Sequence, residues 1–245
     1  MMYELPILTY HRIISRNAEK GKDKIFVSLK NFENQLKYLK TKGFDTITFR
    51  DIEEENITDF SKKVILTFDD GYKCNYQYAF PLLKKYNFKA VIFLVTQKKF
   101  NNWKKHPYEP LFPLLNKDEI LEMDKYGIEF GGHSQTHPIL TEIALDNVFH
   151  EIRGCKNDLE QLLNKPVFSF SYPYGAFNNN VKEIVKESGF KYAVSTNAGA
   201  KDFRTDTFCI KRINISPKTN IYSFKNKTSG KYLKKKNIFT LLNTH

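Results

Sequence analysis

The chain has 245 residues, 41% of them hydrophobic and 15% aromatic, with 21 Phe and 14 Tyr. That is ample apolar material for one core without disulfide staples, and too little length for a second large domain. The formal net charge of +12 is placed unevenly, because no Asp or Glu follows Asp206 while Lys211, Arg212, Lys218, Lys225, Lys227, Lys231, Lys234, Lys235 and Lys236 do; with most of the excess at one end and no nucleic-acid motif in view, a nucleic-acid-binding module is disfavoured.

Cys74, Cys155 and Cys209 are odd in number and irregularly spaced, which suits free thiols in a reducing compartment. The opening MMYELPILTYHRI has no basic stretch, long apolar run or small-residue cleavage site, so no secretion signal is expected. Nor is there a run of roughly eighteen apolar residues to span a membrane. The expectation is a soluble, cytoplasmic protein, which the basic C-terminal stretch could draw to the inner membrane face.

Taken in chain order, residues 6–10 read as a first buried strand. Residues 28–39 read as a helix, with Leu29, Phe32, Leu36 and Leu39 near i, i+3, i+4 spacing and Ser28 as N-cap. Strands follow at 45–48 and 64–68, a helix at 76–86, a strand at 90–95, a helix at 117–125 and a strand at 128–130. A long helix at 145–163, a strand at 168–172, a helix at 179–188 and strands at 192–195 and 212–215 complete the series. Gly43, Gly127 and Gly189 each follow a helix end, where a left-handed residue is expected. Strands alternating with helices predict parallel pairing, and this number of units predicts a distorted parallel (β/α) barrel of about seven strands in one domain, residues 1–216, followed by a basic tail, 217–245. An open doubly wound sheet is the alternative, but no glycine-rich phosphate loop favours it.

Three segments stand just past predicted strands. Asp69-Asp70-Gly71 ends the strand at 64–68. Adjacent carboxylates there are costly unless a cation lies beside them, although an ordinary acidic turn before Gly reads the same way. His133 and His137 follow the strand at 128–130. On one helical turn both imidazoles would face one divalent ion, but chance pairs at this spacing are common. Tyr172-Pro173-Tyr174-Gly175 turns sharply after the strand at 168–172, and such a loop can aim backbone N–H groups at a reacting atom or be only a loop. His11 directly follows the first strand, whereas His106, His150 and His245 lie in a lysine-rich stretch, in a helix and at the terminus, and are read as non-catalytic. In a parallel barrel the C-terminal strand ends share one face, the face on which barrel active sites lie.

Thr67-Phe68-Asp69-Asp70-Gly71, His133-Ser134-Gln135-Thr136-His137 and Tyr172-Pro173-Tyr174-Gly175 resemble, in order and spacing, the motifs of the NodB-like polysaccharide deacetylases of carbohydrate esterase family 4. The LTYHRI stretch resembles the branch that includes poly-N-acetylglucosamine deacetylases. The resemblance implies that Asp70, His133 and His137 bind a divalent metal, with Asp69 as general base, the Tyr174 backbone N–H at the oxyanion and His11 as general acid. Zinc suits this ligand set, with Co, Ni, Mn or Fe as alternatives. Two departures stand out: Ser171 occupies a position where many members carry Arg, and Lys211-Arg212-Ile213-Asn214-Ile215 lacks the histidine usual there. Barrel closure suggests that Arg212 reaches Asp69 and keeps it ionised, while His11 replaces the missing acid.

The implied substrate is an N-acetylhexosamine glycan or a nucleotide- or lipid-linked precursor of one. Phe100, Trp103, Tyr108 and Phe112, in the loop after the strand at 90–95, either stack on sugar rings or form a satellite core. The basic tail, with Tyr232, Leu233, Phe239, Leu241 and Leu242 interleaved, suits an anionic membrane or lipid phosphate, or is a solvated lysine-rich end. A glycan-binding protein on the same scaffold and a metal hydrolase of another amide or ester are the rival functions.

Overall fold

A computed structural model describes residues 5–103, 110–196, 204–229 and 232. The chain starts with β1 (Ile7–Tyr10), β2 (Arg12–Ile14) and β3 (Phe26–Ser28), of which β2 and β3 pair as a small separate sheet. Ser28 caps α1 (Leu29–Thr41), its hydroxyl accepting the Asn31 N–H at 3.3 Å, and the helix buries Phe32, Leu36 and Leu39. β4 is only Asp45–Thr46, shorter than expected, because Thr48 leaves the sheet to cap α2 (Phe49–Glu55) through a reciprocal pair of bonds with Asp51. That capping box specifies a helix start that hydrophobic periodicity does not show.

β5 (Lys63–Phe68) leads through a π-helical turn into α3 (Phe80–Tyr86), followed by β6 (Val91–Leu94), α4 (Lys117–Tyr126), β7 (Glu129–Gly132) and α5 (Leu145–Leu163). Then come β8 (Ser169–Ser171), α6 (Asn179–Glu187), β9 (Tyr192–Ser195), β10 (Ile210–Lys211), β11 (Ile213–Asn214) and α7 (Ile221–Lys227). Gly43, Gly127 and Gly189 have φ of +69°, +111° and +88°, which an L side chain rarely adopts.

All the sheet pairings are parallel, in the order β10-β9-β8-β7-β6-β5-β1-β11, with β4 also on β5. β10 and β11 are two ends of one short segment. Ile210 pairs with Val194 of β9 and Ile213 with Leu8 of β1, so the segment spans the two edges of the sheet and nearly closes a barrel, of eight strands with β10 and β11 counted apart and seven with the segment counted once. The strand expected at 212–215 therefore begins earlier, and Arg212 lies in its middle rather than at its end.

Side-chain alternation sorts the strands into two faces. Leu8, Leu66, Phe68, Ile92, Phe130 and Phe170 pack with the helices in the larger core. Ile7, Ile65, Val91, Phe93, Val194 and Ile210 form the smaller core inside the barrel. The same inward period carries Thr67 and Asp69 after Ile65, Arg212 after Ile210, and Ser169 and Ser171 on β8. Gly131 belongs to this inner layer, and a Cβ there would stand 2.6 Å from the Phe93 ring and from the Ser169 hydroxyl.

Within the segment set apart as a basic tail, α7 folds back onto α1: Phe224 is fully buried, edge-on to Tyr38 at 6.1 Å. Lys231, Leu233, Lys234, Lys235, Lys236, Phe239, Leu241, Leu242 and His245 lie outside the described residues, as do His106 and Tyr108. No helix among the described residues is long and apolar enough to cross a membrane. Cys74, Cys155 and Cys209 form no disulfide, and burial pushes the thiols of Cys74 and Cys155 up to about 11 and about 12.

Candidate active site

The C-terminal ends of the strands open into a cleft of about 310 Å³, lined by His11, Asp69, Asp70, His133, His137 and Tyr174 among others. The three motif segments and the first strand end thus meet in one place. Their backbones are unusual there, since Asp70, Ser134, His137 and Tyr174 all have positive φ, between +59° and +74°. Strained residues of this kind persist only where the surroundings over-determine them, and they cluster at functional sites.

Asp69 is 2% exposed at the top of the barrel's inner face, and Arg212 holds it with a fork. The guanidinium donates at 2.7 Å to Oδ1 and at 2.6 Å to Oδ2, and its remaining bonds go to the Thr67 and Ser171 hydroxyls, each at 3.0 Å. Thr67 in turn donates to the Leu8 carbonyl at 2.9 Å. Burial acts to raise the Asp69 pKa, but the charge and hydrogen bonds of Arg212 together with the neighbouring His133 and His11 more than offset it, so the carboxyl lies below its ordinary value. A second arginine at position 171 would crowd the same carboxylate; Ser171 is small enough to leave room and still supplies an acceptor.

Asp70 turns the other way. Its Oδ1 lies 3.3 Å from Nε2 of His133 and 3.3 Å from Nε2 of His137, and all three side chains are buried. Burial would raise the Asp70 pKa, yet the two imidazoles hold it well below the usual carboxylate range. His133 Nδ1 is 2.6 Å from the Ser171 carbonyl, which can only accept, so Nδ1 carries the hydrogen. In the neutral ring Nε2 is then a lone pair aimed at a carboxylate oxygen, an arrangement that a cation between them relieves. Among the described residues these three form the one group whose donor atoms converge within 4.8 Å. Two imidazole nitrogens and one carboxylate oxygen are a donor set for a divalent transition ion.

His133 and His137 do not share a helical turn. The segment leaves β7 as an irregular loop, with φ of +62° at Ser134 and +65° at His137. Both imidazoles still reach one point because the loop folds on itself, the Ser134 hydroxyl accepting the His137 N–H at 2.9 Å. Trp103 stacks on the His137 ring at 4.5 Å and Tyr174 meets it edge-on at 4.6 Å.

His11 lies on the rim, its Nε2 3.9 Å from Asp69 Oδ2, with its side chain 18% exposed. Tyr174 sits in a tight turn, Pro173–Gly175, and its hydroxyl pKa is pushed up to about 12, mainly by burial. Of the loop aromatics, Phe112 lies under the Arg12 guanidinium and joins Tyr72, Trp103, Val95 and Leu114 in a satellite core. Trp103 also lines the cleft, while Phe100 is 45% exposed.

Sequence reasoning passed over Arg12, Glu151 and the Asp23–Ile25 wall of the cleft. Arg12 and Glu151 act through neighbours distant in sequence, and the loop before β3 carries no periodicity. The expected reach of Arg212 to Asp69 is met, and the alternation of Thr67 and Asp69 with Ile65 is a further sign in the sequence that polar side chains enter the barrel.

Residues 57–193 match the family described as polysaccharide deacetylase. YxkH of Bacillus subtilis, which bears the name of a polysaccharide deacetylase, is 30% identical over 87% of this chain and 72% of its own. The poly-β-1,6-N-acetyl-D-glucosamine N-deacetylase of Staphylococcus aureus is 26% identical over 85% of this chain and 78% of that protein. The solved structure of the Streptococcus pyogenes deacetylase PplD, in complex with acetate, superposes with a TM-score of 0.81 at 26% identity and covers 94% of this chain and 100% of that one.

Proposed function

The chain belongs to the polysaccharide deacetylase family, and from that premise we propose that it removes N-acetyl groups from an N-acetylhexosamine-containing glycan by metal-dependent hydrolysis. The observation that carries this reading is the placement of two neighbouring carboxylates in different settings: Asp69 in the grip of Arg212, and Asp70 facing His133 and His137. Asp70, His133 and His137 would hold the ion, zinc by their chemistry or Co, Ni, Mn or Fe in its place. Such an ion, when bound, supplies Lewis acidity to an acyl carbonyl and to water.

The protein's own groups do the rest. Asp69, kept ionised by Arg212, takes the proton from the attacking water. The Tyr174 backbone N–H donates to the oxygen on which charge develops. His11, across from Asp69, delivers a proton to the departing amine, so that the free sugar amine and acetate leave. Trp103 and Tyr174, flanking His137, offer aromatic faces to a sugar ring. The lysines of the C-terminal stretch support a peripheral contact with an anionic surface, which co-sedimentation of the full chain with anionic vesicles tests.

The direct test is acetate release by Zn-loaded protein. Oligomers of poly-β-1,6-N-acetylglucosamine come first, because the Staphylococcus aureus relative bears that activity in its name. Nucleotide-linked and lipid-linked N-acetylhexosamines follow. Wild-type release, lost in Asp69→Asn and His11→Ala, is the expected result. Silence of the wild type across the panel with Zn, Co and Mn would sink the reading.

A further inference from the structure

The loop that carries His133 and His137 has no regular structure of its own, so something outside it must hold its shape. On one side, Thr96 N–H donates to the Ser134 carbonyl at 3.3 Å and Gln97 N–H to the Gln135 carbonyl at 2.9 Å. On the other side stands the polar face of α5. Glu151 Oε2 accepts both the Gln135 N–H and the Thr136 N–H, each at 2.8 Å, and Oε1 accepts the Thr136 hydroxyl at 2.5 Å. One turn further on, Gly154 makes space for the Gln135 side chain, which would lie 2.5 Å from any Cβ there. A further turn along, Asp158 accepts from the Gln135 amide at 3.1 Å and from the Thr96 hydroxyl at 2.6 Å.

We propose that Glu151 is a positioning residue for the metal site, and that its three bonds to the two residues midway between His133 and His137 set the affinity of the chain for a divalent ion. Two successive N–H groups converging on one carboxylate oxygen leave the loop little freedom to relax. Ser134 and His137 both occupy a backbone region that costs about 1–2 kcal/mol for an L residue. Without Glu151 the loop can relieve that cost by opening, and the two Nε2 atoms then no longer converge. Glu151 touches neither imidazole; it acts only through the backbone between them. Outer partners of ligand residues commonly govern metal affinity by about 10–100-fold.

This inference rests on the metal-site reading proposed above, and the experiment separates the two. Co²⁺ affinity is measured by competition with a chromophoric chelator, with the visible absorption of bound Co²⁺ as a second signal, for wild type, Glu151→Ala and Glu151→Gln. Glu151→Ala is expected to bind about 10–100-fold more weakly and with an altered Co²⁺ spectrum. Glu151→Gln is expected to stay near wild type, since one amide oxygen can accept both N–H groups and the Thr136 hydroxyl can accept from the amide nitrogen. If Glu151→Ala does not fold, Glu151→Asp, which withdraws the carboxylate by one methylene, must show the loss instead. A folded Glu151→Ala or Glu151→Asp that binds Co²⁺ as wild type does, whatever its Tm, overturns the proposal. A wild type that binds no Co²⁺ removes the metal-site reading and this inference with it.

Discussion

The inner face of the barrel and the loops on its rim each deliver one of two neighbouring carboxylates to the cleft, and they do so by different means. Asp69 continues the inward alternation of β5, and its partner Arg212 is placed by the segment that closes the sheet. Asp70, one residue later, has already left the strand, with φ +74°, and faces His133 and His137 on a loop held from outside by α5. The interior buys its accuracy with hydrogen-bonded strands and close packing; the rim depends on a few side chains that clamp strained backbone. A rigid strand can fix a charged pair where water is excluded, whereas a donor set for an ion needs residues from several strands to bend toward one point.

The largest effect should come from the interior. Asp69→Asn keeps the shape of the side chain but offers the Arg212 fork one acceptor oxygen in place of two and cannot take a proton, so acetate release should fall about 10²–10⁴-fold, while Co²⁺ titration should still show the wild-type stoichiometry. Loss of both would mean that the two carboxylates are not separable in role. Next, Arg212→Met leaves Asp69 buried without its cation and should lower stability in urea by about 3–5 kcal/mol. Adding Asp69→Asn to Arg212→Met removes the orphaned charge, and the double variant should recover part of that loss. A double variant no better than the single would break the claim that the pair is a closed unit.

Gly131→Ala sharpens the comparison at a smaller scale. Its methyl meets Phe93 and Ser169 inside the barrel, so overpacking of about 1–3 kcal/mol is expected, read from urea unfolding. Since the change lies in the packed interior and not in the rim, the Co²⁺ affinity of the folded variant should stay at the wild-type value. The smallest expected effect lies deeper in the barrel. Burial raises the Glu129 pKa, more than its bonds from Ser169 and the Arg50 N–H lower it. A raised folded pKa means the native state holds the proton longer than the unfolded chain. Stability from Glu129 is therefore present below its unfolded pKa of about 4.3 and lost as pH rises through the folded value. Glu129→Gln should flatten that part of the stability–pH curve, and an unchanged slope would assign the dependence to other groups.

Much of the architecture was legible because its signals are local. Inward and outward alternation, helix periodicity, the Ser28 cap and the three C′ glycines each act within a few residues. The expected strands at 6–10, 64–68, 90–95, 128–130, 168–172 and 192–195 all have counterparts in the barrel. What escaped was short or bound to a distant partner. α2 depends on a capping box, α7 on the pocket that Phe224 finds against Tyr38, and β2–β3 on a pairing with no alternating pattern.

The same division runs through the site. Its residue types and their order could be named from the chain alone, since carboxylates and imidazoles just past strand ends mark the open face of a parallel barrel. The irregular course of the loop between His133 and His137 could not, because a spacing of four suits a helical turn as well. The grip of Arg212 on Asp69 across 143 residues was expected from barrel closure, but its two-pronged form was not, because it depends on one short segment that pairs with both β9 and β1. Local interactions are written in neighbouring residues and can be read there. Charge pairing inside a closed barrel, and the clamping of a loop by a helix, are contacts between distant parts of the chain, and only the folded sheet brings those parts within reach.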